Sequence, residues 1–436
     1  MRDILVTMIV FLLVLGVFRS ARLGAYLWAW LSIANPHRQT FGFARNMPFA
    51  QITAIVTLVC LFFSKDRRPF PVNSVTVVQL LFLAWMSFTT LFALNYPDIV
   101  YDRWIFVLKI HLMLFVTMML VRGRDQITTL VWVVTLSVGY YGVKGGIFTI
   151  LTGGGSRVWG PPNSLLEGNN ELGVALTMVL PFMYFLYQTA TRRLIRWGLT
   201  LGFILSCMAI LGTQSRGALL AFLAMAAVLG LKGAKPVQTS ILLIALVLAA
   251  ITFMPDTWTA RMSTIQTFDR DSSAMARVYT WQTLWNLALD RPFVGAGFAT
   301  DSVAVFSRYA PVGGVTGYSD GGIFVAHSIY FQALGEHGFP GLALYLLLGV
   351  VTWRKASMLG VQAMADPEYA TWVPLLMRAV QVSIAGFAVG GAFLTLVHLD
   401  VPYYMICYVA LVDATFKERK IANANANRPS SIIAPA

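Results

Sequence analysis

The residues of this 436-residue chain best suited to chemistry are two histidines and a set of arginines. His327 stands in Ala326-His327-Ser328-Ile329-Tyr330-Phe331-Gln332, where a polar segment turns into an apolar one, and His337 follows in Gly335-Glu336-His337-Gly338. Imidazole is the usual general base near neutral pH and can take a proton from a hydroxyl. On one continuous helix the two would lie about 15 Å apart along the axis, too far to serve one atom. Pro340 and its flanking glycines permit a kink between them and the rest of the helix. The arginines expected on the same face are Arg157, Arg216, Arg261, Arg270, Arg277, Arg291 and Arg308, with no lysine among them. Guanidinium is always charged, and its planar fork of donors fits phosphate oxygens. A diphosphate or another anion, handled beside a base, is the chemistry these residue types suggest.

Two of the arginines stand out by context. Arg216 lies in Gly212-Thr213-Gln214-Ser215-Arg216-Gly217, a connection so short between apolar runs that it must stay near the membrane surface. Arg157 lies in a Gly-rich then Pro-rich loop, Gly153 to Asn163, where the glycines let a chain pass close to a ligand. A charge at such a depth is costly unless partnered, and so is a functional candidate. For Arg261, Arg270, Arg291 and Arg308 a solvated role, paired with Asp256, Asp269, Asp271 and Asp290, is the alternative. Asp269-Arg270-Asp271 is like the acidic pair that holds a metal in nucleotide-sugar enzymes, but Arg270 offsets its charge, so no metal site is expected. Cys60, Cys207 and Cys407 lie inside apolar runs and form neither a disulfide framework nor a metal site.

The elements that must position these residues follow from composition. Apolar and aromatic residues make up 57% of the chain and charged residues only 12%, against about 25% charge in a soluble domain; mean hydropathy is +0.69. This predicts an all-α polytopic membrane protein. Apolar runs at 3–17, 20–34, 48–63, 74–95, 104–121, 127–150, 170–189, 197–213, 217–231, 237–254, 327–351, 372–395 and 400–415 give 12 or 13 spans, the first two short enough for a tilted pair or a partly inserted hairpin. The net charge of +13 would suggest nucleic acid in a soluble protein, but here the basic clusters (Arg19/Arg22, Lys65/Arg67/Arg68, Arg122/Arg124, Arg192/Arg193/Arg196, Lys232/Lys235, Arg354/Lys355, Lys417/Arg419/Lys420) fall in alternate connections. The positive-inside rule makes those connections cytoplasmic.

The resulting organisation is an N-terminal part of the transmembrane bundle over 1–254, a large outer loop over 255–326, C-terminal transmembrane helices over 327–420, and a disordered cytoplasmic tail over 421–436. The first apolar run is read as a retained anchor, since Arg19 and Arg22 follow it. Within the outer loop, Ala274 to Asp290 predicts an amphipathic helix with Arg277, Trp281 and Trp285 on one face. That face could lie along the outer leaflet or pack against the transmembrane body.

Around His327 the sequence resembles the O-antigen ligase and polymerase superfamily, whose signature is a His, then Asn, Ser or Gln, nine variable residues and Gly-x-x-Gly; His327-Ser328 and Gly338-x-x-Gly341 fit. Arg157 with Asn163, Ser215-Arg216-Gly217, and Arg277-x-x-x-Trp281 leading to Pro292-x-x-Gly295-x-Gly297 follow in family order. Asn35-Pro36-His37-Arg38 and Gly335 to Gly338 resemble the exosortase-associated O-glycosylation ligase branch. The resemblance implies a C-type glycosyltransferase, inverting and metal-independent, without a cofactor and facing the periplasm from the bacterial inner membrane. Its donor would be a glycan on undecaprenyl diphosphate. For an O-antigen ligase the acceptor is a sugar of the lipid A core, in lipopolysaccharide biosynthesis; relatives polymerise O-antigen or modify proteins. His327 is the expected base and His337 the reserve, with Arg157, Arg216 and Arg277 on the diphosphate, and Arg261, Arg291, Trp281 and Asn163 lining the substrate. A transporter of lipid-linked oligosaccharide is the competing class, with Lys109, His111 and Lys144 as its intramembrane charges.

Overall fold

A computed structural model describes residues 1–232, 252, 254–256, 258, 272–315 and 322–426. Arg261, Asp269, Arg270, Asp271 and most of the apolar run 237–254 lie outside the described residues. Each remaining apolar run forms a helix: α1 (Arg2–Val17), α2 (Ala21–Ala34), α3 (Phe49–Phe63), α4 (Ser74–Thr90), α5 (Pro97–Leu120), α6 (Gly123–Leu151), α7 (Asn169–Thr189), α8 (Arg193–Gly212) and α9 (Arg216–Lys232). After the outer segment's α10 (Ser272–Asp290) and α11 (Val303–Tyr309) come α12 (Ile329–Ala363), α13 (Pro367–Ala370), α14 (Val373–Gly390) and α15 (Asp400–Ala426). Among the described residues there is no strand. Six helices among the described residues are long and apolar enough to cross a membrane, and α3, α4 and α9 are shorter apolar helices. The chain is a multi-pass membrane protein.

A helix apolar on all sides belongs at the centre of a bundle, and α7 is such a helix, buried from Leu172 to Phe182 without interruption. It packs on α6, α8, α9 and α14. Phe182 meets Tyr408 of α15 edge-on at 5.4 Å, so the last helix closes on the same core.

The connections sort to two ends of the bundle. At one, Arg22 pairs with Asp66 at 3.1 Å, Arg122 with Glu418 at 3.2 Å, Lys355 with Asp413 at 2.6 Å and Arg419 with Asp366 at 3.3 Å. These are the basic clusters of the alternate connections. At the other end the 92–95 turn meets the 296–299 segment, through Leu94 N–H to the Ala296 carbonyl and Asn95 Nδ2 to the Ala299 carbonyl. There too the Val158 N–H reaches the Gly212 carbonyl and the His327 N–H reaches Thr395.

At two places the structure adds to the expectation. Helix α15 continues to Ala426, into the stretch read as a disordered tail. The break expected around Pro340 and its flanking glycines falls at one of those glycines, Gly338, with φ 69° and ψ −173°. A proline is tolerated in the first turn of a helix, and Pro340 occupies that position in the segment that restarts after Gly338.

The Lys355–Asp413 pair is largely buried, at 15% and 6% side-chain exposure. Asp413 also pairs with Lys417 Nζ at 3.0 Å, so the loss of Asp413, not of Lys355, strands a largely buried charge, at a cost of about 3 kcal/mol or more. Asp413→Asn is therefore expected to lower the thermal unfolding midpoint of the detergent-solubilised protein, and Asp413→Asn with Lys355→Met to recover most of the loss. An unchanged midpoint in the single variant would contradict this.

Candidate active site

The site is built on the break in α12. Gly338 adopts a conformation open to glycine alone, and a Cβ there would lie 2.5 Å from the carbonyl oxygens of Pro292 and Phe293. The Pro292-to-Gly297 loop fills the break. Its carbonyls and amides pair with the interrupted helix: Phe339 N–H donates to Pro292 O at 2.8 Å, Ala296 N–H to Gly335 O at 2.8 Å and Gly297 N–H to Glu336 O at 2.9 Å. Gly295, with φ 59°, approaches so closely that a Cβ would sit 2.5 Å from Gly335 O. The Pro-x-x-Gly-x-Gly motif is thus the complement of the Gly-Glu-His-Gly motif. Arg291 holds the loop in shape, its guanidinium donating to the carbonyls of Gly295 and Phe92.

The upper segment of α12 starts directly after His327. Ser328 caps it, accepting from the Phe331 N–H. His327 itself is held at φ 44°, its N–H bonded to Thr395 Oγ1 at 2.8 Å. Across this segment lies α10, as a helix over Ser272–Asp290. Its aromatic face packs on the protein body: Trp281 stacks on Phe331 at 5.3 Å and donates from Nε1 to the Ala326 carbonyl at 2.9 Å, and Trp285 meets Phe339 edge-on at 6.0 Å. Arg277 lies one turn before Trp281, where its charge acts on both His327 and Glu171.

His327 lines a cavity of about 410 Å³ together with Arg103, Glu171, Asp301, Gln332, Glu336 and His398. A larger cavity of about 800 Å³, lined by His37, Arg38, Lys109, Asn163 and Asp400, shares Arg103, Ser164 and Glu167 with it. Burial and then the charge of Arg277 push the His327 imidazole down to about 4. The ring is consequently neutral at physiological pH and holds a lone pair able to accept a proton. His337 is different: it is fully buried, packed against Phe298 at 4.9 Å, and does not reach the cavity wall.

The loops bearing Arg157 and Arg216 are stitched together by Gln214. Its side chain accepts from Arg157 Nε at 3.4 Å and donates to the Gly154 carbonyl at 3.0 Å. Asn169 Nδ2 fixes the same turn through the Thr213 carbonyl at 2.8 Å. Arg216 opens α9 two residues after Gln214, half-buried, whereas Arg157 is exposed. Asn163 is exposed, at φ 54°. Arg308 forms an exposed pair with Asp290 at 3.3 Å, the solvated role. Among the described residues, the non-glycine residues at positive φ are Asn35, Asn163, Gln214, Ala299 and His327.

Sequence reasoning missed His398, Gln214 and Arg103. Arg38 lies in the connection after α2 and Arg103 near the start of α5, so the search for arginines on the outward face, extended to these stretches, would have found both.

The structure thus sets a neutral histidine in a cavity at one end of a bundle of apolar helices, with Arg103 on the cavity wall and Arg277 acting on the histidine. The model of the family described as O-Antigen ligase matches residues 201–346, and a family of unknown function (DUF5935) matches residues 1–191. The match over residues 201–346 supports an assignment to the O-antigen ligase/polymerase superfamily, whose members are glycosyltransferase-type ligases and polymerases. No curated protein matches it.

Two outcomes are expected. Gly338→Ala combines a strained backbone, worth about 1–3 kcal/mol, with the clash at the Pro292 and Phe293 carbonyls, and should abolish activity and lower thermal stability together; wild-type behaviour on both would contradict the account of the break. Carbethoxylation of His327, followed by peptide mass spectrometry, should show a midpoint near pH 4, rising in Arg277→Gln but staying below the free-imidazole range, because burial, the larger cause, remains. A midpoint already near 6.5 in the unchanged protein would refute the described environment.

Proposed function

We propose that this protein is an O-antigen ligase, transferring a glycan in one block from undecaprenyl diphosphate to a sugar hydroxyl of the lipid A core. The single observation that supports this best is the neutral His327 in a cavity beside the charge of Arg277. His327 takes the acceptor proton, the acceptor oxygen bonds to the anomeric carbon, and the carbon–oxygen bond to phosphate breaks with its electron pair leaving on the diphosphate. Attack from the face opposite the diphosphate inverts the anomeric centre. Arg157, Arg216 and Arg277 stabilise the developing charge, as fixed cations do best when already aimed at it. A diphosphate at Arg277 would also offset the cation that depresses His327, so donor binding strengthens the base. The end of the bundle carrying the paired basic clusters is assigned to the cytoplasm by the charge rule, and the site then faces the periplasm from the inner membrane.

A second reading keeps the donor and replaces the acceptor by a protein hydroxyl. It is favoured by Asn35-Pro36-His37-Arg38, which resembles the protein-modifying branch and whose Asn35, His37 and Arg38 line the adjoining cavity. Polymerisation of O-antigen would use the same donor and the same base. A transporter would use the arginines alone and leaves the histidine beside them without a role.

Purified protein, lipid-linked glycan and either lipid A core or a hydroxyl-bearing acceptor peptide distinguish these. His327→Ala is expected to lose product by at least about 100-fold, the scale of a general base, with donor binding retained. Arg216→Ala should weaken donor binding and turnover. Full activity in His327→Ala removes the base assignment, and unchanged donor affinity in Arg216→Ala removes the clamp.

A further inference from the structure

On the wall of the His327 cavity, and reaching behind it to His337, lies a second cluster that the transfer reaction does not use. Glu336 is 5% exposed, and its side chain is held by three neighbours. Gln332 Oε1 accepts from the Val397 N–H at 3.0 Å, which turns its amide NH2 group toward both Glu336 oxygens, each at 3.4 Å. His398 Nε2 lies 2.9 Å from Glu336 Oε2. His337 Nε2 lies 3.7 Å from the same oxygen, fully buried and without a hydrogen-bond partner. Its other nitrogen, Nδ1, is 2.8 Å from Thr89 Oγ1.

A carboxylate flanked by two imidazoles, one of them with an unpartnered buried nitrogen directed at it, calls for a cation among them. The nitrogen and oxygen atoms lie within 4.8 Å of one another. Tetrahedral bonds of about 2.1 Å put neighbouring ligand atoms about 3.4 Å apart, between the 2.9 and 3.7 Å separations here. Bound histidines and carboxylates are normally oriented by outer hydrogen bonds, and here Thr89 serves His337 and Gln332 serves Glu336.

We propose that Glu336, His337 and His398 hold a divalent d-block cation of the zinc type. Two nitrogens and one oxygen suit such an ion better than magnesium or calcium, which prefer all-oxygen sets. The ion ties the end of the broken α12 to the 394–399 loop that also carries Thr395, the partner of the His327 backbone. Its role is to hold the wall of the cavity, and it is independent of which glycan or acceptor the enzyme takes.

Tag-free protein, purified in detergent without chelator, exposed to zinc and desalted, is expected to retain about one zinc per chain by mass spectrometry of the metals. Cobalt loaded in its place should show the intense visible bands of a low-coordinate site. Glu336→Gln and His398→Gln should lose the metal, and His111→Ala, at a buried histidine elsewhere, should keep it. Unchanged protein that retains no metal overturns the proposal and leaves a shared proton as the cation. Full retention in both Glu336→Gln and His398→Gln overturns it equally, by placing the ion elsewhere.

Discussion

Inside a bilayer every backbone group must find its partner within the protein, because each orphan costs several kcal/mol. A break in a membrane helix is therefore admissible only where something else supplies the missing bonds. In this chain α12 breaks at Gly338 and the Pro292-to-Gly297 loop supplies them, which requires two backbones to approach with no Cβ between them. Much of the site geometry follows from that contact. The loop anchors the end of α10, α10 lies over the upper segment of α12, and Arg277 is thereby carried to His327. Remove the break and the base and the guanidinium no longer belong to one site.

Much of this was legible in the sequence. The apolar runs located the helices because membrane helices are defined by length and hydropathy, both local properties. The glycine motifs of 292–297 and 335–338 were visible as motifs, but their fit to each other was not, since nothing in either stretch names the other as its partner. The kink was legible from Pro340 and its flanking glycines, but the sequence does not say which of them carries it; the residue at positive φ, Gly338, ends the upper segment. His398 carries no periodic or motif signal. Its meaning comes from Glu336, 62 residues away in the chain, and contacts of that kind arise only on folding. Gln214 was visible in its motif, but its service to Arg157 depends on a loop 57 residues earlier.

The excess of basic residues divides between two physical tasks. At one end Arg22, Arg122, Lys355 and Arg419 are each paired with a carboxylate, so their charge is largely satisfied within the fold and fixes helix ends. At the other, Arg38, Arg103 and His37 line an open cavity, with Arg157 and Arg216 in neighbouring loops. Positive charge facing such a cavity concentrates anions there before any specific contact forms.

The left-handed residues at Asn35, Asn163, Gln214, Ala299 and His327 set a limit on thermostabilising this enzyme by design. Each holds its backbone in a conformation that glycine would adopt at less cost, so glycine replacements there are the ones a stability-only search would select. Two of these side chains, Gln214 and His327, are the orienter of Arg157 and the candidate base. Hardening this protein without losing its chemistry therefore means working at the opposite, ion-paired end of the bundle.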